Sequence, residues 1–105
     1  MIEPIQNYSV VDFAGLSELA DFHFQLLNII GSREGFKYMV GPPRAVIWSE
    51  SVALGSKHNR LYMSDGAVQA ARAAGLVFDV TSQIGKDDLP ANRSLLIGDQ
   101  RDWQL

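Results

Sequence analysis

Two periods organise this chain. Residues 16–30 repeat apolar side chains every three or four positions, while shorter runs elsewhere alternate or cluster as strands do. Residues 8–13 (YSVVDF) are β-branched and aromatic, which predicts a first strand, broken by Ala14-Gly15. In the helix that follows, Leu16, Leu19, Ala20, His23, Leu26, Leu27 and Ile30 share one face. Ser17, Glu18, Asp21, Gln25 and Asn28 hold the opposite one, with Phe22, Phe24 and Ile29 on the shoulders. The apolar side is unusually wide, and Gly31 ends the helix.

Past a turn at 32–35, Phe36, Tyr38 and Val40 alternate with Lys37 and Met39, as in a strand with two unlike faces. Gly41-Pro42-Pro43 interrupts any ladder, because consecutive prolines supply no backbone donors. Residues 44–48 (RAVIW) resume as a strand, and 49–59 suit a short helical turn before Gly55, then a polar loop.

Residues 60–63 (RLYM) predict another strand, and Ser64 is a good N-cap with Asp65 in the first turn. The helix runs to Ala74, stops at Gly75, and would turn Ala67, Ala70, Ala71 and Ala74 inward. Residues 76–80 (LVFDV) read as a returning strand. The connection 64–75 is long enough for a crossover, so 60–80 is expected to be a βαβ unit with parallel strands. A polar loop at 81–93, a strand at 94–97 (SLLI) and a polar tail from about 98 complete the chain. The expectation is an α/β fold, with α+β as the other arrangement. It is a two-layer domain, with two main helices (about 16–30 and 65–74) on a mixed sheet of four to six strands. One domain over 1–105 is expected at this length.

Composition narrows the function classes. A hydrophobic share of 47% and a charged share of 20% are those of a folding domain. The formal net charge is −3 and the nine Lys and Arg are scattered, which argues against nucleic acid, where phosphate contacts dominate affinity. No cysteine is present, which removes disulfides, thiolate nucleophiles and cysteine-ligated metals. Met1-Ile2-Glu3-Pro4 shows no basic region before an apolar run, and no stretch suits a membrane span. A cytoplasmic location is expected, without membrane attachment.

Candidate chemistry is sparse. His23 falls within the first helix's apolar face, where it reads either as a core imidazole satisfied by a backbone carbonyl or as a general base. His58 lies in the polar GSKHNR loop. Two histidines without neighbouring ligands argue against a metal. Ser64-Asp65-Gly66 stands where a strand gives way to a helix, a place where ligands bind in parallel sheets, although plain N-capping is the favoured reading and Asp65 already puts negative charge where an anion would sit. Glu50 and Asp79 are the carboxylates expected near the same edge. No P-loop, dinucleotide or G-x-S-x-G pattern occurs, and no cofactor is expected. Pro42, Pro43 and Arg44 form a rigid feature suited to partner contact or simply a stiff connection. Trp103, beside Arg101 and Asp102, is a residue type enriched at interface hot spots.

Residues 17–26, SELADFHFQL, resemble the first helix of barstar-type ribonuclease inhibitors, in which an acidic residue, an apolar residue and His precede a Leu. Gly35-Phe36-Lys37-Tyr38 echoes the loop that follows there. MVGPPRAV has no counterpart of that family's next helix, the one that plugs the nuclease site. The resemblance implies intracellular neutralisation of a partner enzyme.

Two functions follow as expectations. The first is a non-catalytic, regulatory partner-binding domain of the accessory, inhibitor or immunity type, whose partner is a protein, either another chain or a copy of itself. The second is a small ligand-binding or catalytic domain using the C-terminal edge of parallel strands, with Ser64, Asp65 and Glu50 as first residues and His23 or His58 as base. An exposed apolar patch distinguishes the first, and a concave pocket holding at least two of the named polar residues distinguishes the second.

Overall fold

A computed structural model describes residues 5–32, 44–52 and 55–98. Its elements are β1 (Asn7–Phe13), α1 (Leu16–Ile30), β2 (Ile47–Glu50), β3 (Asn59–Met63), α2 (Asp65–Ala73), β4 (Ser82–Gly85), a 3₁₀ turn (Lys86–Asp88) and β5 (Ser94–Ile97). The sequence-predicted strand at 36–40, the Pro42-Pro43 turn and Trp103 lie outside the described residues.

The strands form one sheet in the order β4-β1-β3-β2-β5, and every neighbouring pair is antiparallel. The fold is therefore α+β, and the parallel βαβ unit expected at 60–80 is not what forms. Residues 76–80 join no ladder. Leu76, Phe78 and Val80 pack against the core beneath the helices, while Val77 is 95% exposed. Their alternation is real, but it comes from lying across the edge of a core. The strand that pairs is the polar β4, inside the segment read as a loop. It joins β1, so β1 separates the two strands that α2 connects.

β2 begins at Ile47 instead of 44 because Ser64 takes the place of a ladder partner. The Ser64 amide donates to the Val46 carbonyl at 2.9 Å, and the Val46 amide donates to Ser64 Oγ at 2.8 Å.

Both helices lie on one face of the sheet. Their core joins Val11, Ile47, Leu61 and Met63 to Leu19, Phe22, Leu26, Ala67, Ala70 and Ala71. The inner face of α1 is not the one read from its periodicity. Leu19 and Leu26 are buried as expected, but Phe22 and Ile29 from the shoulder pack inward with them. Leu16, Ala20 and Leu27 face outward instead. The rotation places the Phe22 ring between Phe13 and Phe78, 5.3 Å from each centroid, which buries the larger side chain.

α2 is fully committed. Ser64 Oγ caps it by accepting from the Ala67 amide at 3.3 Å, and also donates to the Arg44 carbonyl at 2.8 Å. Ala67, Ala70 and Ala71 face inward with Val68, whereas Ala74, expected among them, is exposed. Gly66 is required by close approach, since a Cβ there would meet the Arg44 backbone at 2.5 Å.

The other face of the sheet carries a second apolar cluster of Tyr8, Val10, Val46, Trp48, Tyr62 and Leu89. Trp48 Nε1 donates to Tyr8 Oη at 3.2 Å, and the Arg93 guanidinium stacks over the Trp48 ring at 4.5 Å.

Candidate functional site

The polar end of that second face holds the densest chemistry among the described residues. Period-2 alternation puts Trp48 and Glu50 on one side of β2, and the register pairs Glu50 with Arg60 and Arg60 with Asp12. Arg60 Nε donates to Asp12 Oδ1 at 2.6 Å. That hydrogen bond and the Arg60 charge hold the Asp12 carboxyl below its ordinary value, and raise the guanidinium in return.

Arg60 is thus turned toward Asp12, and the hydrogen bonds to Glu50 come from two hydroxyls, while the Arg60 charge acts on Glu50 from across the strand pair. Ser56 Oγ donates to Glu50 Oε1 at 2.6 Å, and the Tyr62 hydroxyl donates to Oε2. Burial alone would raise the Glu50 carboxyl, but these two hydrogen bonds, with the nearby Arg60 and His58 charges, outweigh it and leave the group below its ordinary range. Burial and the bond to Glu50 push the Tyr62 phenol up, so it remains a donor.

The turn between β2 and β3 makes this possible. Gly55 has φ +87°, a left-handed conformation that favours glycine, and its amide donates to the Val52 carbonyl at 3.0 Å. The chain then returns with the Ser56 amide on the Ser51 carbonyl at 3.1 Å, which brings the Ser56 hydroxyl back over Glu50. The His58 amide donates to the same hydroxyl at 3.1 Å. Between this turn and the loop before β5 lies a pocket of about 300 Å³ lined by Glu50, Ser56, Lys57, His58, Pro90 and Asn92.

Of the residues singled out from sequence, Glu50 and His58 therefore meet in one pocket. Ser64, Asp65 and Gly66 do not join them. Ile47 pairs with Met63 and Glu50 with Arg60, so the start of α2 is at the opposite end of β2. The site proposed there from parallel strands has no parallel pair to form it, and the space beside Gly66 is filled by the Arg44 backbone. Asp79 is exposed, and Arg44, read as part of a surface turn, is buried at 9%. The sequence does not single out Ser56 and Tyr62, because their relation to Glu50 depends on strand register and turn geometry. The alternation that places Trp48 and Glu50 together was a partial signal.

A second feature lies on the opposite side of the molecule. Leu16, Phe24 and Leu27 on α1 are 46%, 66% and 43% exposed, and Ala20 between them is exposed. Their spacing makes one continuous outward stripe. His23 sits at the border between this stripe and the buried half. Burial lowers its pKa, and its Nε2 is buried without a hydrogen-bond partner.

Among the described residues, no three His, Asp or Glu side chains gather as metal ligands, and no helix is long and apolar enough to cross a membrane. No family model matches the chain, and no curated protein or solved structure matches it either. The likeness of residues 17–26 to barstar-type inhibitors therefore rests on those residues alone.

Proposed function

We propose that this is a non-catalytic partner-binding domain and that the outer face of α1 is its docking surface. The observation that carries this reading is the exposed stripe of Leu16, Ala20, Phe24 and Leu27, directly backed by a buried apolar face on the same helix. A helix needs only one such face to pack on its sheet, and a contiguous exposed one is a common mark of a protein interface. The charged side chains of α1 are Glu18 and Asp21, with no Lys or Arg. The fitting partner is another protein that presents apolar side chains flanked by basic ones, and a second copy would set acidic edge against acidic edge.

Photocrosslinking from position 24 in the native cell tests the reading, with Gln69 on the exposed side of α2 as control. A single heterologous protein captured from position 24, absent from position 69 and lost on Leu27→Ser, supports it. Capture only of the chain itself, or equal capture from both positions, overturns it.

A further inference from the structure

We infer that residues 76–80 form a docking edge for an extended strand of another protein. Main-chain groups supply the recognition, with an apolar side chain of the partner beside Val77 and a basic one beside Asp79. The edge uses none of the outward α1 side chains, and neither docking surface depends on the other.

The segment is held like a strand but paired with nothing. Gly75, at φ +84°, turns the chain out of α2, and the Leu76 amide donates to the Ala71 carbonyl at 3.1 Å. At the other end the Thr81 amide and hydroxyl both donate to the Val10 carbonyl, at 2.9 and 3.2 Å. Between these pins the chain has no helix, turn or bend. Leu76, Phe78 and Val80 pack on the core, while Val77 and Asp79 are exposed. That alternation is the side-chain geometry of a β-strand. Yet the amides of Val77, Phe78, Asp79 and Val80 donate to no acceptor among the described residues, and their carbonyls accept from none.

A row of main-chain donors and acceptors is matched best by another extended main chain, which is how peptides add to strand edges. Three side chains already anchor the segment, so it has little freedom left to lose on pairing. Natural edges are commonly blunted by Lys or Pro. Residues 76–80 carry neither, and Val77, at 95%, is the most exposed large apolar side chain among the described residues. The single charge in the segment, Asp79, selects the partner. A second copy paired antiparallel over the full segment sets Asp79 against Val77, and one paired parallel in register sets Asp79 against Asp79. Both are unfavourable across strands. Asp79 makes no ion pair among the described residues, so a Lys or Arg of a different strand can take that place.

The probe is the blocked peptide acetyl-TVTKTV-amide, which puts Val, Lys and Val on one face in either strand direction. Amide chemical shifts and hydrogen exchange of the protein are followed during titration. The controls are the same peptide N-methylated at every residue and the peptide with Glu for Lys. The expected result is saturable shifts and slowed exchange at residues 77–80 with the first peptide, and none with the N-methylated one, which keeps the side chains and loses the donors. Glu for Lys should weaken binding about fivefold, the difference between opposite and like charges across a strand pair. Asp79→Lys, on an exposed side chain, should reverse that preference. Absence of saturable shifts, an equal response to the N-methylated peptide, or an unreversed preference in folded Asp79→Lys overturns the proposal. Shifts at 77–80 that grow with protein concentration alone assign the edge to a second copy and overturn it too.

Discussion

α1 and α2 pack side by side on the same face of the sheet and use their side chains in opposite ways. α2 is a nine-residue helix whose inward groups are small and fully placed, with a hydroxyl cap at Ser64 and backbone contact at Gly66. α1 has fifteen residues, no side-chain cap at Gly15, and apolar side chains over more of its circumference than the sheet can cover. The short helix holds nothing in excess. The long one presents a second apolar face that the described residues leave uncovered, and the proposed docking surface rests on that contrast.

The contrast is sharpest at two phenylalanines. Phe22→Ala should cost about 4 kcal/mol of stability, the range for removing a buried aromatic ring. Phe24→Ala on the same helix should shift stability by no more than about 0.5 kcal/mol. Urea unfolding of both variants measures the difference. A large loss at Phe24 would mean that the outer face belongs to the core and would remove the docking surface.

On α2 the expected weakness is crowding. Gly66→Ala places a methyl group against the Arg44 backbone and should destabilise by about 3 kcal/mol, because neither the helix nor the crossing chain can yield cheaply. A Tm close to that of the parent would show that the contact is loose. Ser64→Ala should cost about 2 kcal/mol. It removes the cap on Ala67 and leaves the buried Val46 amide without its acceptor. Ser64→Thr, which keeps the hydroxyl, should recover part of that loss in the same denaturant titration.

A smaller effect than those on α2 belongs to His23, at the border between the two faces of α1. Burial lowers its folded pKa from the ordinary 6.5, so the unfolded chain binds the proton more readily. Its contribution to stability is intact above pH 6.5 and is lost as pH falls through the lower folded value. His23→Leu should stabilise by about 1 kcal/mol at neutral pH by removing an unpaired buried nitrogen, and should flatten the stability profile below pH 6.5. An unchanged profile would assign the acid sensitivity to the carboxylates.

Local signals in the chain were legible, while signals depending on partners were not. Ser64 as a cap, α1 over 16–30 and strands at 8–13, 60–63 and 94–97 follow from adjacent residues, and the structure agrees closely on each. Which half of α1 turns inward depends on where Phe13 and Phe78 offer a slot for Phe22, and no wheel contains that information. Leu76, Phe78 and Val80 alternate like a strand but cover a core, whereas the polar Ser82-Gln83 pairs through its backbone, to which side-chain pattern is blind. At the candidate pocket, Glu50 and His58 were visible as chemical types. Their meeting, and the part of Ser56 and Tyr62, required the register of β2 on β3 and the turn at Gly55.

The position of β1 between β3 and β4 also constrains how the domain is made. Phe13 must wait for Asn59, and Asn7 for Gly85, before either side of the first strand finds its backbone partners. Closing such distant pairs is slow compared with forming a helix. During synthesis the valines of β1 leave the ribosome long before the strands that shield them, so the nascent chain passes through a period of exposed, unpaired β-structure. A chain released before residue 82 would lack β4 altogether and leave one edge of β1 open, a ready template for association.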